Sequence, residues 1–341
     1  MKAKSIRNIR LGIYAFSHFC VDFSCFFMLF SWYSNSAHSL QTITMGFLAY
    51  NVIAFGFQPI IGYLCDTYKK IPITIIGCPV IVIGLLFMSV PAVSIFLIGL
   101  GNACFHIAGG IDTLRQSGGK MAKSGIFVSF GALGVAMGSL SGESGKLTVY
   151  FPIGILLICL ILLYVFCIDV KKTESKFTIS NPKLKFEAVI ILAFISILIR
   201  SYAGSIIPTE WKTTPVFTVF PAIGAFLGKS CGGFIADKIG ARKAAVYSLL
   251  TSLVLLGFGH ANPWVYLIGI ALFNINTSVT LCATASVLPL HPGLAFGITT
   301  IALLCGNVPT FFIAIAYAPL VFAALTAVSA ICLYCIVKKE S

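Results

Sequence analysis

The apolar residues of this chain fall in runs of about 20, the length that crosses the roughly 30 Å hydrocarbon core of a bilayer as an α-helix. The runs are continuous and do not show the period-two alternation of outer-membrane barrel strands. Their positions predict twelve spans, at 10–33, 41–65, 71–89, 91–113, 124–143, 147–168, 186–206, 213–236, 243–260, 263–285, 292–313 and 316–337. The longest polar interruption, Asp169 to Lys185, comes after the sixth span. The expected fold is therefore an all-α membrane protein of twelve transmembrane helices in two six-helix bundles. The first covers residues 1–168, a linker covers 169–185, and the second bundle covers 186–341.

The two halves echo each other. Gly62 and Asp66 close the second span, with Lys69 and Lys70 after them; Gly233 and Asp237 close the eighth, with Lys238, Gly240, Arg242 and Lys243 after them. A Gly-x-x-x-Asp-basic turn at the same place in each half predicts parallel repeats, related by a pseudo-twofold along the membrane normal.

Composition and charge sharpen this picture. Hydrophobic residues make up 58% of the 341 and charged residues 10%, which excludes a water-soluble domain of this length. A net charge of +13 would suggest nucleic acid in a soluble protein, but here its distribution explains it. Of the 23 Lys and Arg, all but four lie at the termini and in the even-numbered connections; the opposite loops hold only Lys146 and Lys212, and Arg200 and Lys229 lie inside spans. The positive-inside rule then places both termini and the linker in the cytoplasm of a multi-pass protein of the cell (plasma or inner) membrane. No basic patch interleaved with aromatics lies outside the spans, so nucleic acid is not an expected partner. All 12 cysteines lie in or beside spans and are expected as free thiols. Cys332-x-x-Cys335 has no second pair or nearby His, so no metal site is expected there. The basic-then-apolar N-terminus is too long for a signal peptide and lacks a cleavage site, so it is read as the first helix.

Ionisable groups inside the spans are the candidates for chemistry. His18 and Asp22 are four residues apart and share a helix face. A carboxylate at mid-membrane costs about 3 kcal/mol even on insertion scales, so it is kept where it faces a cavity or a partner. A buried polar pair that fixes helix packing is the alternative. Helical rise puts Asp22 near mid-membrane and His18 one turn towards the cytoplasm. His106 lies past the middle of span four, Arg200 in the outer half of span seven and Lys229 in the inner half of span eight. Asn274 and Asn276 lie near the middle of span ten. One carboxylate against two fixed cations and two imidazoles favours an anionic or acid-bearing solute, with Arg200 suited to a bidentate carboxylate contact. Alternatively Arg200 pairs with Asp22 and neutralises both. Lys229 stands where the first half has Gln58, so the repeat does not dictate its charge; it either lines a cavity or pairs locally. Asp22 and His18 are the expected proton carriers, because both can change charge near physiological pH. His106 is a further candidate, although hydrogen bonding to a neighbouring helix would also account for it. Glycines 131, 134, 138 and 142 permit close helix contact. Gly142-Glu143-Ser144-Gly145, with His260 on the same side, matches an intramembrane-protease motif, but four residues in a glycine-rich helix end read better as a turn. There is no zinc-protease, Walker or dinucleotide motif, so neither an enzyme nor a cofactor is expected.

The repeated turn resembles the signature loop of the major facilitator superfamily. Gly233-x-x-x-Asp237-Lys238-x-Gly240-x-Arg242-Lys243 is close to that pattern, and the first copy lacks the second glycine. The N-terminal half resembles the fosmidomycin-resistance type of exporter in four pieces: Ser17-His18-x-x-x-Asp22, Gln58-Pro59-x-x-Gly62-x-x-x-Asp66, Gly101-x-x-x-Phe105-His106, and Ser117-Gly118-Gly119 onward to Gly142. It departs from that type at Ile107, where proline is usual, and Ser139 stands where antiporters commonly carry proline. The resemblance implies that spans one, four, seven and ten line a central cavity where His18, Asp22, His106, Arg200, Asn274 and Asn276 converge. It also implies a cytoplasmic gate made by Asp66, Asp237, Arg115, Arg242 and Lys243. The function expected is proton-coupled secondary active transport of a small organic solute, an anion or a drug with an acidic group, by a monomer in the lipid bilayer, with export favoured over uptake. An uptake symporter of a small organic anion, and a non-transporting membrane sensor or scaffold, remain as alternatives.

Overall fold

The computed structural model describes residues 2–35, 39–68, 72–168, 174–313 and 317–339. Lys69 and Lys70 of the first turn motif, and the first five linker residues, lie outside the described residues. Among the described residues, twelve main helices follow in order: α1 Lys2–Asn35, α2 Leu40–Thr67, α3 Gly77–Leu86, α4 Pro91–Gln116, α5 Met121–Ser144, α6 Tyr150–Cys167, α7 Phe186–Ser205, α8 Phe220–Ile239, α9 Ala241–Gly259, α10 Pro263–Val287, α11 Pro292–Asn307 and α12 Pro319–Ile336. Eleven of these described helices have the length and composition to cross a membrane. The third predicted span is the exception. Its apolar helix runs only from Ile73 to Leu86 and opens with a 3-10 turn, Ile73–Ile75. Pro79 then falls in the first turn of α3, where the missing N–H has no intrahelical partner to lose.

Three helices are interrupted. In α2 a π turn, Val52–Gly56, precedes Pro59, and the carbonyl of Phe55 accepts from the Thr300 hydroxyl of α11 at 3.5 Å. α10 breaks at Ile275 into Pro263–Asn274 and Asn276–Val287. α11 continues into a 3-10 turn, Val308–Phe311, at Pro309.

The packing repeats in the two halves. α1 lies along α5 as α7 lies along α11; α3 pairs with α4 as α9 does with α10; α6 flanks α1 as α12 flanks α7. Between the bundles α2 packs on α11 and α8 on α5, again as counterparts. The α1–α5 contact is the most extensive. Gly134, Gly138 and Gly142 face the backbone carbonyls of Phe19, Phe23 and Phe27 so closely that a Cβ has no room. Tyr14, Phe105 and Phe127 interlock α1, α4 and α5 just below the site described next.

At the end that carries both termini the two bundles touch backbone to backbone, Gly62 against Gly293 and Gly233 against Met121. Asp66 of α2 accepts from the Leu294 amide at 2.9 Å, in the first turn of α11. Asp237 of α8 accepts from the Met121 and Ala122 amides at 2.9 and 3.1 Å, in the first turn of α5. Each carboxylate thus caps a helix of the other bundle, where the free N–H groups and the helix dipole favour an anion. Arg115 sits 3.5 Å from Asp66. Arg242 instead donates to the Val337 carbonyl at 2.8 Å and stacks on Tyr334, within its own bundle, and Lys243 is exposed. Linker residues 174–185 dock on the second bundle. Ser175 bonds Pro289 and Ala285, Asn181 bonds Ile336 and Cys335, and Phe177 is buried.

Candidate functional site

The central feature is a compact polar cluster on α1 and α4. His18 Nε2 is 3.2 Å from Asp22 Oδ2, and His106 Nε2 is 3.9 Å from Asp22 Oδ1. Asn102, one turn before His106, donates its amide to Asp22 Oδ1 at 2.8 Å. All four are buried, with exposures of 4% for His18, 8% for Asp22, 6% for His106 and 1% for Asn102. Phe105 and Phe127 hold the His18 ring from two sides, and the two imidazoles meet edge-on at 4.5 Å. From the fifth helix, Gly131 reaches this pair so closely that a Cβ would strike both the Asp22 carboxylate and the His18 ring.

The hydrogen bonds fix how the cluster holds charge. His18 Nδ1 lies 2.7 Å from the Phe127 carbonyl, and His106 Nδ1 lies 3.0 Å from the Asn102 carbonyl. A carbonyl only accepts, so Nδ1 carries the proton in both rings. Each Nε2 is therefore bare in the neutral ring, and both point at Asp22. Two lone pairs facing each other at 3.2 Å need a positive charge between them. The cluster is thus a receptor for a cation, and a proton between His18 and Asp22 satisfies it. Ligand atoms of His18, Asp22 and His106 all lie within 4.8 Å of one another, with carbonyls behind both rings, a set of donors that also suits a transition metal. Two cationic side chains, Arg200 and Lys229, lie across the cavity from this cluster.

Those cations form the second pole. Arg200 of α7, 8% exposed, donates from Nη2 to the Thr280 hydroxyl at 3.2 Å, and its Nε is buried with no partner. Lys229 of α8 lines the same space with no hydrogen bond or carboxylate partner among the described residues. Among the described residues no ion pair joins Arg200 to Asp22, so the neutralising pair that the sequence left open does not form. Between the poles lies a cavity of about 440 Å³. Its wall comes from α1, α4, α7 and α10, as the resemblance implied, and from α2, α5, α8 and α11 as well. It is closed at the end that carries the termini by the backbone contacts already described. It extends away from that end towards Gly204 and Pro221.

Of the remaining expected site residues, Asn274 lines the cavity and bonds its own helix at Ile270, while Asn276 is fully buried against Ser248 of α9 and does not line it. Ser144 donates to the Ser141 carbonyl and His260 meets the Tyr317 ring edge-on, and no hydrogen bond joins the two among the described residues. Asn102 and Gly131 were not singled out as site residues from the sequence. Asn102 is the one legible in hindsight, because it stands four residues before His106 on one face of a helix.

No family model matches the chain. Solved structures do. A structure of the E. coli fucose:proton symporter, carrying a single alanine substitution, aligns with a TM-score of 0.65 at 12% identity, over 95% of this chain and 97% of that one. A major facilitator superfamily transporter structure in the outward conformation, of the same symporter, aligns with a TM-score of 0.61 at 13% identity, over 93% and 97%. The fold is that of major facilitator superfamily transporters.

Proposed function

We propose that this protein is a proton-coupled secondary active transporter for a small organic anion, working by alternating access between residues 1–168 and 186–341. The single observation that carries the reading is the separation of charge across one cavity. The proton receptor His18–Asp22–His106 sits on the first bundle, and Arg200 and Lys229, neither with a carboxylate partner among the described residues, sit on the second. The fold likeness is consistent with this, since the aligned E. coli protein is a sugar:proton symporter. On the charge distribution in the sequence, both termini are cytoplasmic in the cell membrane, so the closed end faces the cytoplasm and the cavity faces out. The chain is read as a monomer.

Co-transport fits this geometry better than exchange. Exchange needs proton and cargo to exclude one another at a shared group. Here Asp22 is enclosed by His18, His106 and Asn102, and the cargo charge goes to the facing wall. An ionised Asp22 repels an anion in a space of low dielectric, and a proton on the cluster removes that repulsion. Each ligand therefore tightens binding of the other. A proton moving down a membrane potential also supplies about 2.3 kcal/mol per 100 mV where its charge is not cancelled by the cargo.

The test is anion flux in proteoliposomes with an imposed pH gradient. One proton per cargo converts one pH unit into about tenfold accumulation, since one unit is about 1.36 kcal/mol. Asp22→Asn is expected to abolish the accumulation while facilitated equilibration persists. Accumulation that ignores the gradient would refute the coupling.

A further inference from the structure

The cavity wall specifies the cargo more narrowly than its sign. We infer that the cargo is a monoanion with an apolar body, a small carboxylic acid bearing an aromatic or branched aliphatic group, and not a polyol or a hydrophilic dianion. The inference rests on the anion-transporter reading and adds the rest of the molecule to it.

The donors are the first reason. A hydroxylated cargo needs many free donors and acceptors, because a buried hydroxyl without a partner is costly. Here the hydroxyls of Ser201, Thr280, Thr299 and Thr300 donate to the helix carbonyls of Leu303, Asn276, Phe296 and Gly297, and the Asn274 amide donates to Ile270. Thr277 and Tyr266 are the only uncharged hydroxyls on the wall without such a bond among the described residues. The free donors that remain are cationic. Arg200 keeps a buried, unpartnered Nε, and Lys229 keeps its whole ammonium. One anionic head between them satisfies both.

Shape and charge are the second and third reasons. Away from that head group the wall is hydrocarbon: Phe55, Ile270, Phe273 and Phe296. A cavity of about 440 Å³ is of drug-ligand size. With no proton bound, Asp22, Arg200 and Lys229 sum to one positive charge. A proton and a monoanion bound together leave that sum unchanged, so the same closed state can form loaded and empty. A dianion would lower the sum by one and make the two closures electrically different.

The experiment is ligand-induced thermal stabilisation of the purified full-length chain at pH 5.5 and 8, with four probes. Phenylacetate carries the predicted head and body, succinate is a hydrophilic dianion, benzylamine carries the same body on a cation, and glucose is a polyol. Phenylacetate is expected to stabilise, more strongly at pH 5.5. Arg200→Gln and Lys229→Gln should each weaken that effect at least tenfold in apparent Kd, and Phe273→Ser should weaken it for phenylacetate without creating binding of glucose. Ligand-free melting curves identify any variant that has lost its fold, and phenylacetate competition on the unaltered protein then replaces it. Stabilisation by succinate in preference to phenylacetate would overturn the apolar-body assignment while leaving the anion transporter standing. Stabilisation by benzylamine or glucose alone would overturn both. No effect from phenylacetate at tens of millimolar, or an effect unchanged in Arg200→Gln, would overturn this inference and leave the flux assay to judge the other.

Discussion

Gly131 faces side chains and Gly134 faces backbone, and that difference separates function from stability on a single helix. A methyl at Gly131 meets the Asp22 carboxylate and the His18 ring, side-chain groups that make room only by giving up their mutual geometry. A methyl at Gly134 meets the Phe19 carbonyl, which can move only if the whole of α1 moves. Gly134→Ala is therefore expected to destabilise the protein by about 1–3 kcal/mol, the usual range for overpacking. Gly131→Ala should leave the melting temperature nearly unchanged but disconnect transport from the pH gradient. Melting curves and proteoliposome flux on both variants check this, and equal loss of stability in the two would show that Gly131 is only a packing residue.

At the scale of elements, the closed end depends on two helix caps that cross between bundles. Asp237 serves two amides of α5, and Asp66 serves one amide of α11 with Arg115 beside it. Loss of a cap typically costs about 0.5–2 kcal/mol, and about 1.4 kcal/mol is tenfold in an equilibrium. Asp66→Ala and Asp237→Ala should each raise the population opened at the terminal end by roughly that factor. Tyr63 of α2 and Leu290, before α11, are exposed residues at this junction. The distance between spin labels placed there should lengthen in both variants, and an unchanged distance distribution would mean that the glycine contacts alone keep the end shut. The π turn in α2 gives that motion a place to bend, at the point where the Phe55 carbonyl also meets the Thr300 hydroxyl of α11.

At the scale of the molecule, the proposed topology puts the termini and the linker on the cytoplasmic side. A cysteine introduced at Glu210, exposed between α7 and α8, should react with an impermeant maleimide on intact cells. One at Lys183, in the described part of the linker, should react only after permeabilisation. The native cysteines give little background, since nine of the twelve are buried and the two exposed ones, Cys231 and Cys305, lie within α8 and α11. The reverse labelling pattern would turn the cavity inward and reverse the assignment of the closed end.

The sequence alone placed the twelve apolar helices, the two bundles and their duplicated turn, because hydrophobic run length is a property of short segments; the third helix is the one shorter than a full span. It also named the ionisable groups in the cavity, since a charge inside a span is expensive wherever its helix packs. Tertiary structure decided what those groups do to one another. Only packing shows that Arg200 bonds Thr280 and leaves Asp22 alone, that Asn276 turns to Ser248, that Arg242 binds Val337, and that Asn102 and Gly131 close around the His18–Asp22 pair. The third helix fell short of its predicted span because Pro79 confines the α-helix to a later start. Rotation of a helix about its axis moves a side chain from cavity to interface without changing hydropathy, and that rotation is set by contacts with helices far away in the chain.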